Sequence, residues 1–584
     1  MRFLVIVLTL ATAAPVIGQA PPPGPTSSAT PPGQTAPGQP ARTPARPLRP
    51  GETPPKGTAV IRGYVTAQAT GSPVRRAQVR AMSMDGRGGG GVTSTDAEGR
   101  FEIKELPAGR YSLMATKGGF VTAQFGQRRP NEPGTPLELV DGQTADKVTF
   151  ALTRGGVISG RIVDDGGEPV SGTQVRAMRY AFSGGVRRLM TAGAEGSNDR
   201  TDDQGGFRLF GLPPGEYFVS AVSQTNNFIS ADISNTEADG FAPTYYPGTP
   251  NLAEASRVTL KTGQEMSGVN FAMIVARLAR VKGRALNSLG EPATNAMMSM
   301  TPADASQMTV QFSNAVVGRD GLFQFTNVAP GRYHLSVRPN GMPNSSAEFA
   351  TITVIVGNDD IDNLLLTTAL GATARGVIVT DDGSVPTFRP AQVQVQANPA
   401  EPVTMMFGNS QMKINDDFSF EISGVSERRL VRGFVGASSG WYLKAVLYDG
   451  EDVTDKGVEF TAGRSYDGFE VVFSQKTTDL SGLVSDDRNR PVVDATVVVF
   501  PANPERWGYG SRYLRTVRPD TEGRYNVRSL PPGDDYLIIA VQNLESGQGG
   551  DPEFLSRARE EARPLTLNEG ETKTVDVKLS KLTP

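Results

Sequence analysis

Thr95-Asp96-Ala97-Glu98-Gly99-Arg100-Phe101, followed by Leu106-Pro107-Ala108-Gly109-Arg110-Tyr111, is the stretch on which the reading of the fold turns. Asp and Gly tolerate the positive φ of tight turns, so residues 96–99 read as a hairpin loop. Phe101-Glu102-Ile103 alternates apolar and charged residues, as a half-buried strand does. Pro107-Ala108-Gly109 turns the chain again, into a strand on which Tyr111, Leu113 and Ala115 share one face. Upstream, Val60–Val65 and residues 74–82 are short β-type runs separated by a Gly71-Ser72-Pro73 turn, and Lys147–Leu152 alternates once more.

The same stretch returns four times. Thr201–Phe207 with Leu212-Pro213-Pro214-Gly215-Glu216-Tyr217 is the second occurrence, and Arg319–Phe323 with Val328-Ala329-Pro330-Gly331-Arg332-Tyr333 the third. Asp520–Tyr525 with Leu530-Pro531-Pro532-Gly533 and Tyr536 is the fifth. A degenerate fourth aligns Phe420 and Val425, but Phe418 and Arg428 stand where the glycines belong. The aromatic anchors 101, 207, 323, 420 and 525 are spaced by 106, 116, 97 and 105 residues. Two further markers keep the beat: Gly63, Gly160, Gly283, Gly376 and Gly482 open each repeat, and Gly142, Gly263, Gly357, Gly463 and Gly570 come late in it. A period of this length is too long for a solenoid unit and fits a string of autonomous domains.

The expected fold class is therefore all-β, with five tandem small antiparallel β-sandwiches of about seven strands each. The boundaries read from the markers are 58–153, 154–276, 277–370, 371–476 (degenerate) and 477–584. Short junctions are expected near Arg154, Arg277, Gly371 and Thr477. Helical periodicity is weak, and Asp551–Glu561 is the best candidate for a short helix.

Residues 1–20 read as an export signal: Arg2, an apolar run Phe3–Leu10, then small residues closed by Pro15 and Gly18. Residues 21–57 read as a disordered linker, with 13 prolines among 37 residues and no aromatic. Such a segment cannot bury enough apolar surface to offset its ordering entropy, and it favours extended polyproline II. No other apolar stretch is long enough for a membrane span, so the mature chain is expected to be soluble and exported, to periplasm, cell surface or exterior.

Composition excludes much chemistry. The 584 residues contain no Cys and one His, and the formal net charge is −3. Disulfides, thiolate catalysis and zinc sites needing several His are impossible. A near-neutral chain gives no electrostatic reason for a nucleic-acid partner. His334 follows Tyr333 on a strand and so points away from the core, and no G-x-S-x-G supplies a nucleophile for a triad. No enzyme activity and no cofactor are expected. The acidic loops at Asp96/Glu98, Asp202/Asp203, Asp359/Asp360/Asp362 and Asp486/Asp487 read as turn chemistry rather than Ca²⁺ ligands.

The order of markers — apolar-Gly strand, Thr-Asp-x-x-Gly-x-Phe, Leu-Pro-Pro-Gly-x-Tyr — resembles the carboxypeptidase regulatory-like domain. The resemblance implies a transthyretin-like or prealbumin-like sandwich, shared with collagen-adhesin B-type repeats and similar to starch-binding sandwiches. It covers the chain past the linker, with no room for a catalytic neighbour. It also implies polysaccharide or an extracellular protein as partner, or a pure spacer, or an accessory to a carboxypeptidase. Adhesin relatives can form a Lys–Asn amide crosslink, for which Lys104, Lys147 and Lys444 lie near strand patterns.

The candidate ligand-binding residues are the aromatics outside the repeat markers: Tyr245 and Tyr246, Trp441 and Tyr442, Trp507 and Tyr509. Exposed rings beside polar groups can stack on the apolar face of a sugar or bind an extended peptide. The competing reading makes them lids that close the sandwich ends. Trp507 is the first to test.

Overall fold

A computed structural model describes residues 57–84, 90–192, 199–223, 228–229, 239–294, 296–303, 313–338, 348–400, 411–435 and 440–582. Residues 1–20, read as an export signal, and all but Gly57 of the segment 21–57, read as a Pro-rich linker, lie outside the described residues. The regular elements are almost all strands; among the described residues, Pro552–Glu561 is the one α-helix.

In the first repeat, strand Ala59–Ala67 pairs antiparallel with Arg100–Leu106 and parallel with Thr144–Leu152. A second sheet is built on Gly109–Thr116, which pairs with Gln78–Ser83 on one edge and with Ala123–Gln124 and Leu137–Leu139 on the other. The alternating faces meet in one core holding Ile61, Val79, Phe101, Leu113 and Phe150. This two-sheet packing is the expected sandwich.

The parallel pair is a departure from the wholly antiparallel expectation, and it returns in each of the other four repeats. Gly156–Val163, Ala279–Leu286, Ala372–Thr380 and Thr478–Ser485 each take a parallel neighbour from the end of their own repeat. A parallel neighbour needs a long crossover, and the second sheet supplies it.

The markers of the sequence turn out to be partners in space. Gly63, Gly160, Gly283, Gly376 and Gly482 lie directly across the antiparallel pair from Phe101, Phe207, Phe323, Phe420 and Tyr525. A Cβ on these glycines would lie 1.7, 2.0, 2.2, 2.0 and 2.0 Å from the carbonyl oxygens of Val148, Val269, Leu364, Phe469 and Val575. The tyrosine after each Pro-Gly turn is buried, and its hydroxyl returns to the turn. Tyr111 donates to Pro107 O at 2.7 Å, Tyr333 to Ala329 O at 2.9 Å and Tyr536 to Pro531 O at 2.8 Å; Tyr217 does the same to Pro213 O.

The fourth repeat keeps the first sheet and rearranges the second. Strand Tyr442–Tyr448 pairs with Ser465–Ser474, giving a six-stranded sheet opposite a three-stranded one. Phe418 adopts the left-handed φ of 64° that glycines take in the other repeats, and its ring meets Phe388 edge-on at 5.7 Å. Leu430 replaces the tyrosine, and Arg429 Nε donates to Ser426 O at 2.7 Å.

The helix begins as its sequence dictates. Asp551 caps it by accepting from Phe554 N at 3.2 Å, Pro552 occupies the first turn, and Phe554, Leu555 and Ala558 form its buried face.

Candidate interaction site

Stacking on a ligand requires an exposed ring face, and most of the six candidate aromatics lack one. Tyr245 is 2% exposed, on a two-residue strand paired with Gly215–Val222, and packs with Met178, Leu189 and Phe218. Tyr246 is half-buried, its ring edge-on to Phe271 at 5.9 Å. Trp441 is half-buried against Phe388 at 5.3 Å, with Nε1 donating to Thr387 Oγ1 at 3.1 Å. Tyr442 is buried beside it. Trp507 is 6% exposed, lies 6.1 Å from Phe500, and donates from Nε1 to Pro501 O at 2.7 Å. It shares a core with the helix residues Phe554, Leu555 and Ala558. Tyr245, Tyr442 and Trp507 are buried, so their apolar faces are withdrawn from water and from any ligand. Tyr509 alone stays open, at 38% exposure.

The loop that carries Trp507 and Tyr509 continues into a polar cluster between the fourth and fifth repeats. Arg512 Nε meets Asp455 Oδ2 at 3.0 Å, and Arg512 Nη1 donates to Lys444 O at 2.6 Å. Tyr513 donates to the same Asp455 oxygen at 3.0 Å. Arg432, itself buried, reaches Asp455 Oδ1 at 3.4 Å and also donates to Thr454 O. Lys444 Nζ bridges Glu569 at 2.6 Å and Asp381 at 3.2 Å. The hydrogen bond to Glu569, then that to Asp381, holds the Lys444 ammonium above the usual lysine range. Lys104 is likewise paired, with Glu102 at 2.7 Å.

In three of the four acidic loops an aspartate caps its own turn, whereas Asp360 Oδ1 accepts from Arg280 N at 2.9 Å and its Oδ2 pairs with Arg280 Nε at 3.0 Å. Asp96 Oδ1 accepts from Glu98 N at 3.0 Å and Arg100 N at 2.7 Å. Asp202 and Asp486 repeat the arrangement at i+2 and i+4. His334 sits on the outward face as read, its Nδ1 3.2 Å from Thr353 Oγ1 on the next strand. Two clefts of about 150 and 290 Å³ occur at the junctions of the first repeat with the fifth and the second, at or below the small end of ligand pockets. Among the described residues, no helix is long and apolar enough to cross a membrane.

With this geometry in place, the comparisons with known proteins take their meaning. The carboxypeptidase regulatory-like domain model matches residues 60–153, the span of the first repeat. The resemblance read from the sequence is thus met by the family model there, and the other four repeats carry the same glycine–aromatic register in their first sheet. No curated protein matches the chain. Among solved structures, the TIE protein of Bacillus anthracis is 12% identical over 53% of this chain and 51% of its own, with a TM-score of 0.15. A streptococcal ancillary pilin is 12% identical over 53% of this chain and 98% of its own, with a TM-score of 0.19. The minor pilin of Streptococcus agalactiae is 12% identical over 37% and 95%, with a TM-score of 0.20. The chain spans about half the length of the B. anthracis protein. At such TM-scores, the class of the fold rests on the registers above.

Proposed function

We propose that the chain is an exported, non-catalytic scaffold of five sandwiches, bounded at 58–153, 154–276, 277–370, 371–476 and 477–584, that acts at the cell envelope or outside it through protein contacts. The observation that carries this reading is where the aromatic and charged side chains go. Trp507, Tyr245 and Tyr442 are spent inside sandwiches, and Arg512, Lys444 and Asp455 are spent joining one repeat to the next. Polar contacts of this kind are those that join domains within one chain.

The carbohydrate reading survives at one residue, Tyr509, which keeps an exposed ring in a Gly-rich loop. A glycan array probed with the wild-type protein and with Tyr509→Ala separates the two. The scaffold reading expects no glycan retained above background; retention abolished by Tyr509→Ala would replace it with the carbohydrate reading. Fractionation of expressing cells tests export, with a mature N-terminus expected between residues 19 and 21.

A further inference from the structure

We infer that the fifth repeat is a latch that closes the chain, in cis, onto its first two repeats. The contact rests on three kinds of interaction. The first is a buried ion pair. Arg518 and Glu132, with side chains 8% and 9% exposed, meet at 3.0 Å although 386 residues separate them. Arg518 also reaches Asp494 at 3.3 Å and donates to Pro133 O at 3.3 Å. Buried charges are tolerated when paired. Apart, the first repeat would lose the cation facing Glu132.

The second is backbone to backbone. Ser546 N donates to Asn131 O at 3.0 Å, joining the two repeats beside the ion pair. The third is glycine against glycine. In the second repeat, the hairpin turn Gly184-Gly185 lies beneath the fifth: a Cβ on Gly184 would come within 2.6 Å of the Tyr509 ring. One on Gly185 would lie 2.3 Å from Gly550 O, and one on Gly547 would lie 2.6 Å from Phe182 O. A hairpin turn needs positive φ, which Asn or Asp also supplies; here the missing side chain makes room for a neighbour. Arg179, only 13% exposed, adds an ion pair to Glu545 at 3.4 Å. Charge on the two faces is complementary, with Arg129 and Arg179 meeting Asp494 and Glu545 while Glu132 meets Arg518.

These contacts join repeats that are not neighbours in sequence, so their effect is closure. While closed, the latch covers Glu132 and the Gly184-Gly185 turn; opening it would present both to a partner with the chemistry of the fifth repeat. Tyr509 belongs both to this contact and to the glycan reading, so the latch is tested at other residues and its failure is distinguishable from that of the glycan reading.

The chain has no Cys, so a single engineered pair reports the contact cleanly. Full-length protein carrying Asn131→Cys and Ser546→Cys is oxidised and run without reductant. The expected product is a monomer of increased mobility. Adding Glu132→Arg is expected to lower its yield at least about ten-fold, and adding Arg518→Glu to that variant, together with Asp494→Asn so that the new glutamate does not face the Asp494 carboxylate, to restore it to within about three-fold. Gly185→Asn, which keeps the positive φ of the turn but places a Cβ 2.3 Å from Gly550 O, is expected to lower the yield several-fold. Crosslinked dimer in place of monomer, a yield indifferent to Glu132→Arg, or no rescue by the charge swap would overturn the latch.

Discussion

Gly63 shows at one residue how the sequence specifies the sandwich. Across the strand pair lies Phe101, whose ring comes within 2.9 Å of where a Cβ would be, and on the parallel side Val148 O would be 1.7 Å away. Gly63→Ala is therefore expected to cost about 2–3 kcal/mol through overpacking. At Gly142, where a Cβ meets nothing and only φ of 72° is at issue, alanine is expected to cost about 1 kcal/mol. Urea unfolding of the two variants checks the difference, and equal losses would count against the packing argument. The glycines and aromatics were legible because their chemistry is confined to few residue types. A further regularity was not. Glu105, Gly211, Asn327, Gly424 and Ser529 all take positive φ, between 57° and 77°, immediately before the Leu or Val of each turn. At each of these points the register slips, a β-bulge five times over. One requirement, at five positions, is met by four residue types, so the sequence pattern stays silent while the backbone repeats.

At the scale of elements, the tyrosine strands carry a pH dependence. Burial pushes the Tyr217 hydroxyl up to about 12 from 10.0, and pushes Tyr536 higher still, against opposing effects of nearby arginines. The neutral phenol is the form the fold favours. The stabilisation is thus complete below the unfolded value of 10 and is lost as pH rises from there through the folded value, up to about 2–3 kcal/mol for Tyr217. Thermal unfolding followed with tyrosinate absorbance is expected to show the second and fifth repeats losing stability above pH 10, with tyrosine ionisation accompanying unfolding. Ionisation of all tyrosines near pH 10 in a chain that stays folded would contradict this. The helix makes a second prediction. Trp507 fills the space between Phe500 and the helix face, so Trp507→Ala is expected to cost about 3–5 kcal/mol in the fifth repeat, read as an earlier unfolding transition there. The helix was legible from Asp551, Pro552 and the apolar spacing behind them. The role of Trp507 was not, because a tryptophan in a Gly-rich loop has the same sequence signature whether the loop folds inward or lies open.

For the whole molecule, what was legible was the number of beats and their order; how the repeats touch was not. Glu132, Arg179, Asp455, Arg512 and Arg518 look like any surface charges in the sequence. They become recognisable only when the partner, up to 386 residues away, is in place. The fourth repeat illustrates the same limit on a smaller scale: loss of the two glycines was visible, whereas the transfer of strand Tyr442–Tyr448 to the other sheet depends on pairings that no local pattern encodes.

The central claim is that one strand pairing, glycine across from aromatic with a parallel neighbour behind, is built five times. Hydrogen–deuterium exchange of the full chain, resolved by peptide, measures it most directly. The account predicts five blocks of slow exchange, centred on Ala59–Ala67, Gly156–Val163, Ala279–Leu286, Ala372–Thr380 and Thr478–Ser485, because each of these strands is bonded on both edges. Fast exchange in any one of the five, with its aromatic partner strand equally unprotected, would contradict it.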